Sequence, residues 1–277
     1  MAISNFIPTI WSEALLHSLD RKYIGVANCN REFEGEIREK GSSVKVCGVG
    51  NVNISDYTKN TDMSAPQTLS DNARELVIDQ AKYFNFQIDD IDRAQSMPRL
   101  MEAAMANAAT ALATEADRYV YKLYAYAGST ITNSAATPEN VVTTLLAART
   151  KLYKQNVSNA DDIVFEVSPD IGEMILKAKL ELSTDNSEAL DAGCIGRIAG
   201  CRVYVTNSIS ITGADEGDSH HCLARTRRAI AFAEQLSEID AYRPELRFAD
   251  AVKGLHLYGA HVFYPQEVIH MNFVIPE

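Results

Sequence analysis

The stretch between Pro98 and Gly128 constrains this chain most, because it contains no further glycine or proline and is rich in alanine. Ser96 offers an N-cap, Pro98 suits the first turn and Gly128 supplies a stop after Ala127. The spacing therefore predicts one helix of about 30 residues, roughly 45 Å long at 1.5 Å per residue. Leu100, Met101, Met105, Ala108, Leu112, Ala116, Tyr119 and Leu123 line its apolar stripe, which reads as core packing and not as a cofactor pocket.

Upstream, Pro8 and Thr9 precede Trp11, Leu15 and Leu19, whose four-residue spacing lines one face of a short helix. From Gly35 to Ile91 the period changes to two. Val44 and Val46, Val52 and Ile54, and Phe84, Phe86 and Ile88 alternate with polar neighbours and read as strands. Residues 51–72 are mostly Asn, Asp, Ser, Thr and Lys, with Tyr57, Met63 and Leu69 as large apolar side chains. A hairpin with so little to bury is marginal alone and gains order by lying on another surface.

Downstream the pattern is that of a compact α/β unit. Thr137 and Pro138 start a helix carrying Val142, Leu145, Leu146, Arg149 and Leu152; the strand Ile163 to Val167 follows. Ser168 and Pro169 cap a short helix through Met174, Ile175 and Leu176, and the loop 181–191 reads as exposed and mobile. Gly193, Gly196 and Gly200 punctuate a turn into the strand Val203 to Val205. Residues 128–136 read as turns and 212–219 as a polar loop, before strands at 229–232, 239–242, 254–263 and 268–274.

The chain has 277 residues, 46% of them hydrophobic, which is enough for a sizeable core, while its net charge of -11 argues against a surface built to hold phosphates. Arg225, Arg227 and Arg228 read as a solvated face that can still meet DNA without sequence preference. The five cysteines form no Cys-x-x-Cys pair and are odd in number, so they read as free thiols in a reducing cytosol. No run approaches the roughly 18 apolar residues of a membrane span.

Catalytic and metal motifs are weak. Asp89, Asp90 and Asp92 lack the Gly and Glu of a calcium loop, since positions 95 and 101 are Gln and Met, and read as a turn before a helix. His220, His221 and Cys222 are adjacent, so in a strand they alternate between faces; His17, His256, His261 and His270 read as isolated. The glycines at 193, 196 and 200 do not have dinucleotide-site spacing. No catalytic residue, cofactor or metal follows from these patterns, and the chain reads as a non-enzyme.

The order of the parts carries a resemblance. Ile7-Pro8-Thr9-Ile10-Trp11-Ser12, then Gly35-Glu36-Ile37 through Val44-Lys45-Val46, then Leu76 to Phe86 with Asp89-Asp90-Ile91-Asp92, then Val167-Ser168-Pro169, Gly196 to Val203 and Leu257-Tyr258-Gly259-Ala260 follow one another along nearly the whole sequence. In this order the chain resembles the tailed-bacteriophage major capsid (coat) proteins, whose fold is shared with herpesvirus capsids and encapsulins. The resemblance implies an α+β phage major-capsid fold. Its parts would be an N-terminal arm (1–34), an extended β-hairpin loop with flanking strands (35–90), a peripheral domain with a long spine helix (91–128 and 227–265), and an axial α/β domain (129–226 and 266–277).

It further implies a homo-oligomer of hexamers and pentamers in an icosahedral shell around double-stranded DNA. Assembly would take place in the bacterial host cytoplasm, with a portal protein as partner and no membrane. Because the arm helix starts within about ten residues of Met1, a separate scaffolding protein is expected. Arms that cannot bury themselves gain order on neighbours. Trp11, Leu15, Leu19, Tyr57, Lys59, Asp62, Met63 and Leu69 are therefore the expected inter-subunit contacts. One family member cross-links subunits through Lys and Asn, but no feature here identifies a partner for Lys59. An encapsulin-type nanocompartment shell and a small α/β enzyme built on residues 137–207 are the competing readings.

Overall fold

The computed structural model describes residues 22–33, 43–49, 54, 56, 59, 62, 71–89, 100–157, 159–178, 194–214, 217–246 and 248–275. Trp11, Leu15, Leu19, Tyr57, Met63, Leu69, the helix start at Ser96 and Pro98, and the loop 181–191 lie outside them, as do Asp90 and Asp92 of the expected turn. Twelve strands are described: β1 (Ser43–Val49), β2 (Asp71–Val77), β3 (Gln80–Asp89), β4 (Ser129–Asn133), β5 (Ile163–Val167), β6 (Cys194–Ile198), β7 (Cys201–Val205), β8 (Ile211–Ala214), β9 (Gly217–Thr226), β10 (Ile230–Tyr242), β11 (Ala249–Val262) and β12 (Val268–Ile275). The α-helices are α1 (Leu100–Lys122), α2 (Pro138–Lys154) and α3 (Pro169–Lys177).

The long helix is present, and a 3-10 turn, Leu123–Tyr126, carries the chain from it to Gly128. A side chain at 128 would collide with the Pro265 carbonyl, whose oxygen instead accepts the Gly128 N–H at 2.8 Å. The buried face of α1 is Ala109, Leu112, Ala113, Ala116, Asp117, Val120 and Tyr121, more alanine-lined than the expected stripe and including one carboxylate. Small residues let the helix lie close to the antiparallel sheet β10-β11-β3. There Tyr119 packs edge-on against Tyr258 and donates to Asp79 at 2.9 Å.

A second, seven-stranded sheet has the order β4-β12-β9-β5-β7-β6, with β8 on β9. The pairs β12/β4 and β5/β7 are parallel and the rest antiparallel. β5 is buried at every position, as expected of a central strand. α2 packs against this sheet behind a reciprocal Thr137/Asn140 capping box. Its buried residues are Val141, Thr144, Leu145, Ala148 and Leu152, whereas Leu146 is exposed. On α3, Ile171, Gly172 and Ile175 are buried and Leu176 is exposed.

Five other expectations are corrected. Residues 129–133 form the edge strand β4, and the expected loop 212–219 is a hairpin of β8 and β9. The expected strands 229–232 and 239–242 are one strand, β10, with a register shift between Leu236 and Glu238. Ile54 lies outside any strand, and Asp89 ends β3 instead of sitting in a turn. The glycine turn is a tight β6–β7 hairpin whose corner, Ala199 and Gly200, has φ of 50° and 86°.

One hydrophobic cluster runs through both sheets, from Val120, Phe232 and Tyr258 to Phe165, Ile163 and Met271. Cys29, Cys201 and Cys222 are free and buried, and burial pushes Cys29 up to about 11 and Cys222 up to about 12.

Candidate subunit interface

Residues 22–33 form a short strap with a 3-10 turn at Val26–Asn28. Three elements fasten it. On α1, Asp117 accepts the N–H groups of Ile24 and Val26 at 3.0 and 2.9 Å. Burial pushes the Asp117 carboxyl up to about 6, against the pull of these backbone bonds.

On the seven-stranded sheet, Arg225 of β9 and Glu166 of β5 are both fully buried and paired through two contacts of 2.8 Å. Of the remaining Arg225 N–H groups, two donate to the carbonyls of Asn28 and Gly25, each at 2.8 Å, and the third meets Cys29 Sγ at 3.5 Å. Asn28 donates its side-chain N–H to Glu166 at 3.3 Å. On the three-stranded sheet, Glu234 of β10 accepts from Tyr23 and from Arg31 at 2.7 Å, and lies 2.8 Å from His256 Nε2. Beside it, Asn30 exchanges backbone hydrogen bonds with Ile230 and Phe232 at 2.8 and 2.9 Å.

These positions correct two expectations. Arg225 is no part of a solvated basic face, because it is an interior cation neutralised by Glu166. Neither His256 nor His270 is isolated: the first meets Glu234, and the second lies 2.9 Å from His221 across the sheet. Of the expected contact residues, Lys59 and Asp62 are exposed between β1 and β2, and no described contact joins them.

The surface that the sequence did not single out is the end of the β10–β11 hairpin. Leu246 is 96% and Phe248 82% exposed there, and Tyr83 on neighbouring β3 is 78% exposed. Large apolar side chains presented this openly are an association signal. A hint was available in Leu246 and Phe248 flanking Arg247 just after Pro244-Glu245, which a solvated turn does not need.

Chemically the described residues offer little beyond this. Two open polar pockets, of about 350 and 370 Å³, are lined respectively by residues that include Asn159, Arg227 and Arg228, and by residues that include Asp170, Asp218 and His220. Among the described residues no three His, Cys, Asp or Glu side chains are grouped to hold a metal. None of the described helices is long and apolar enough to cross a membrane.

No family model matches the chain, and no curated protein matches it. Solved structures do. A structure from Mycobacterium phage Che8 superposes with a TM-score of 0.71 and 28% identity, covering 90% of this chain and 90% of that one. The capsid of Ralstonia phage GP4 gives 0.70 at 11% identity over 94% and 91%. A virus-like particle from Pyrococcus furiosus gives 0.59 at 11% identity over 96% and 99%. Agreement over nine-tenths of the chain leaves no large unmatched part on either side, and the α+β arrangement of this chain is therefore the fold of the tailed-phage major capsid proteins.

Proposed function

We propose that the chain is the major capsid protein of a tailed phage, a subunit that self-assembles into an icosahedral head shell of hexamers and pentamers around double-stranded DNA. The observation that carries this reading is the near full-length likeness to phage capsid structures. The likeness to a virus-like particle keeps a bacterial nanocompartment shell, enclosing protein cargo, as the second reading. In the phage reading the host cytoplasm is the site of assembly, and a separate scaffolding protein and a portal protein are the partners.

In this assignment 1–34 is the arm, 35–90 the extended loop with its flanking strands, 91–128 with 227–265 the peripheral domain, and 129–226 with 266–277 the axial domain. Trp11, Leu15, Leu19, Tyr57, Lys59, Asp62, Met63 and Leu69 are the proposed contacts of the arm and loop. Leu246 and Phe248 join them as apolar anchors for a second copy. Few anchors dominate a typical interface, and in a ring each contact is repeated by every subunit.

A double replacement, Leu246→Asp with Phe248→Asp, is expected to leave the melting curve of the monomer unchanged and to cut the yield of sedimenting particles at least about tenfold. Wild-type particle yield from that variant would remove the tip from the interface. Particles sealed against nuclease and carrying double-stranded DNA support the phage reading; particles filled with a host enzyme and no DNA favour the nanocompartment.

A further inference from the structure

His221 on β9 and His270 on β12 are diagonal neighbours on one face of the seven-stranded sheet, since His221 stands opposite Asn272. Their Nδ1 and Nε2 atoms are 2.9 Å apart, and His221 Nε2 is 2.9 Å from the Thr212 hydroxyl on β8. Tyr124, in the 3-10 turn that ends α1, stacks on His221 with ring centres 4.2 Å apart and planes 2° apart, and leans on His270 at 4.8 Å. Both imidazoles are buried. We propose that the His221/His270 pair is an acid-released latch holding the C-terminal end of α1 to the seven-stranded sheet.

Proton counting gives the mechanism. Two neutral rings share one hydrogen across the short contact, and the Thr212 hydroxyl suits either tautomer by donating or accepting. One added proton is tolerable, because His221 can then donate to both His270 and Thr212. A second places N–H against N–H and like charges side by side beneath the Tyr124 ring. The pair separates, and the turn that Tyr124 anchors loses its seat. The two protons belong to the pair and leave in coupled steps.

The surroundings do not rescue the charge. The titratable groups around the pair are Tyr124 on the 3-10 turn, His220 on β9 and Lys151 on α2, whose ammonium holds the Thr130 carbonyl beside His270 at 3.3 Å. No carboxylate of the described residues acts on either ring. Burial, then the charge of His221, holds His270 down to about 4, while burial, then His220, holds His221 below its usual value. With both folded-state values depressed, the folded chain binds fewer protons than the open one. Closure is therefore unaffected above the ordinary histidine range and weakens as pH falls from about 6.5 toward 4.

Hydrogen exchange of peptides covering 123–133 in the full chain, corrected for intrinsic rates, tests this beside an NMR titration of the histidine ring protons. Protection is expected to fall by up to about tenfold per pH unit between pH 6 and pH 4, with both ring midpoints below the ordinary value. His270→Gln keeps a polar partner for His221 but takes up no proton, and its protection should lose most of that slope. The same slope in His270→Gln as in wild type, or ring midpoints at the ordinary value or above, would overturn the proposal. Should the variant not fold, the two wild-type midpoints decide alone.

Discussion

Arg225→Met is expected to cost about 3–5 kcal/mol of unfolding free energy, a large share of what a domain of this kind has to lose. The magnitude follows from what the change leaves behind. Glu166 sits fully buried in the central strand β5 with both carboxylate oxygens on Arg225, so removing the guanidinium strands an anion where water cannot reach it. The Gly25 and Asn28 carbonyls lose their donors at the same step. A buried acceptor left bare costs about 1–3 kcal/mol.

The double variant Glu166→Leu with Arg225→Met separates the two parts. It removes both charges and should regain much of the sheet's stability, because an apolar pair of similar volume commonly replaces a buried ion pair without loss. The strap would still lack its donors. Trypsin should then cut after Lys22 and Arg31 faster than in wild type while the melting temperature recovers. Urea unfolding beside timed proteolysis reads both effects, and an Arg225→Met variant within about 1 kcal/mol of wild type would contradict the buried pair.

Replacing residues 52–70 with a short Gly-Ser turn should have the largest effect on assembly and almost none on the monomer. β1 and β2 pair in register from Ser43↔Val77 to Val49↔Asp71, so the two ends to be joined already face each other. A short turn can close them without breaking a ladder bond. The removed segment is mostly polar and adds little to a core. Its proposed role is to lie on a neighbouring subunit, with Tyr57, Met63 and Leu69 as apolar contacts and Lys59 and Asp62 as salt-sensitive rim charges. The melting temperature is expected to stay within about 2 °C, while closed particles disappear from the sedimentation profile. A variant that unfolds would place the segment in the core; one that still builds shells would free it from any role in holding subunits together.

Elements whose signals are local were legible in the sequence. β5 matches its expected bounds because an apolar run is bracketed by Asp162 and by Ser168-Pro169, and α2 starts at the expected cap. Of the α2 leucines singled out in the sequence, Leu145 and Leu152 are buried and Leu146 is exposed. The close approach to the sheet instead favours Ala148 and Thr144, whose hydroxyl donates to the Asn140 carbonyl at 3.0 Å. β4 escaped notice because Ser-Thr-Ile-Thr-Asn is a short polar edge strand held by parallel pairing to β12, far away in sequence. β10 was split in two by Glu234 and its polar neighbours.

The polar partners were the least legible part. Glu234 is tolerated in a strand only because Tyr23, Arg31 and His256 converge on it, and Asp117 is tolerated in α1 only because the strap offers it two N–H groups. A lone Glu in the apolar run of β5 did signal that a cation had to be near. Nothing local marked Arg225, 59 residues on, as that cation.

The central claim, that this chain closes into a shell, is tested most directly by cryo-electron microscopy of the full chain expressed with the candidate scaffolding protein. The expected result is closed icosahedral particles built of five- and six-membered rings, each subunit fitting the sheets and α1 as described, with Leu246 and Phe248 against a second copy. A population that remains monomeric or dimeric at every concentration, with the chain folded and the strap in place, would contradict it.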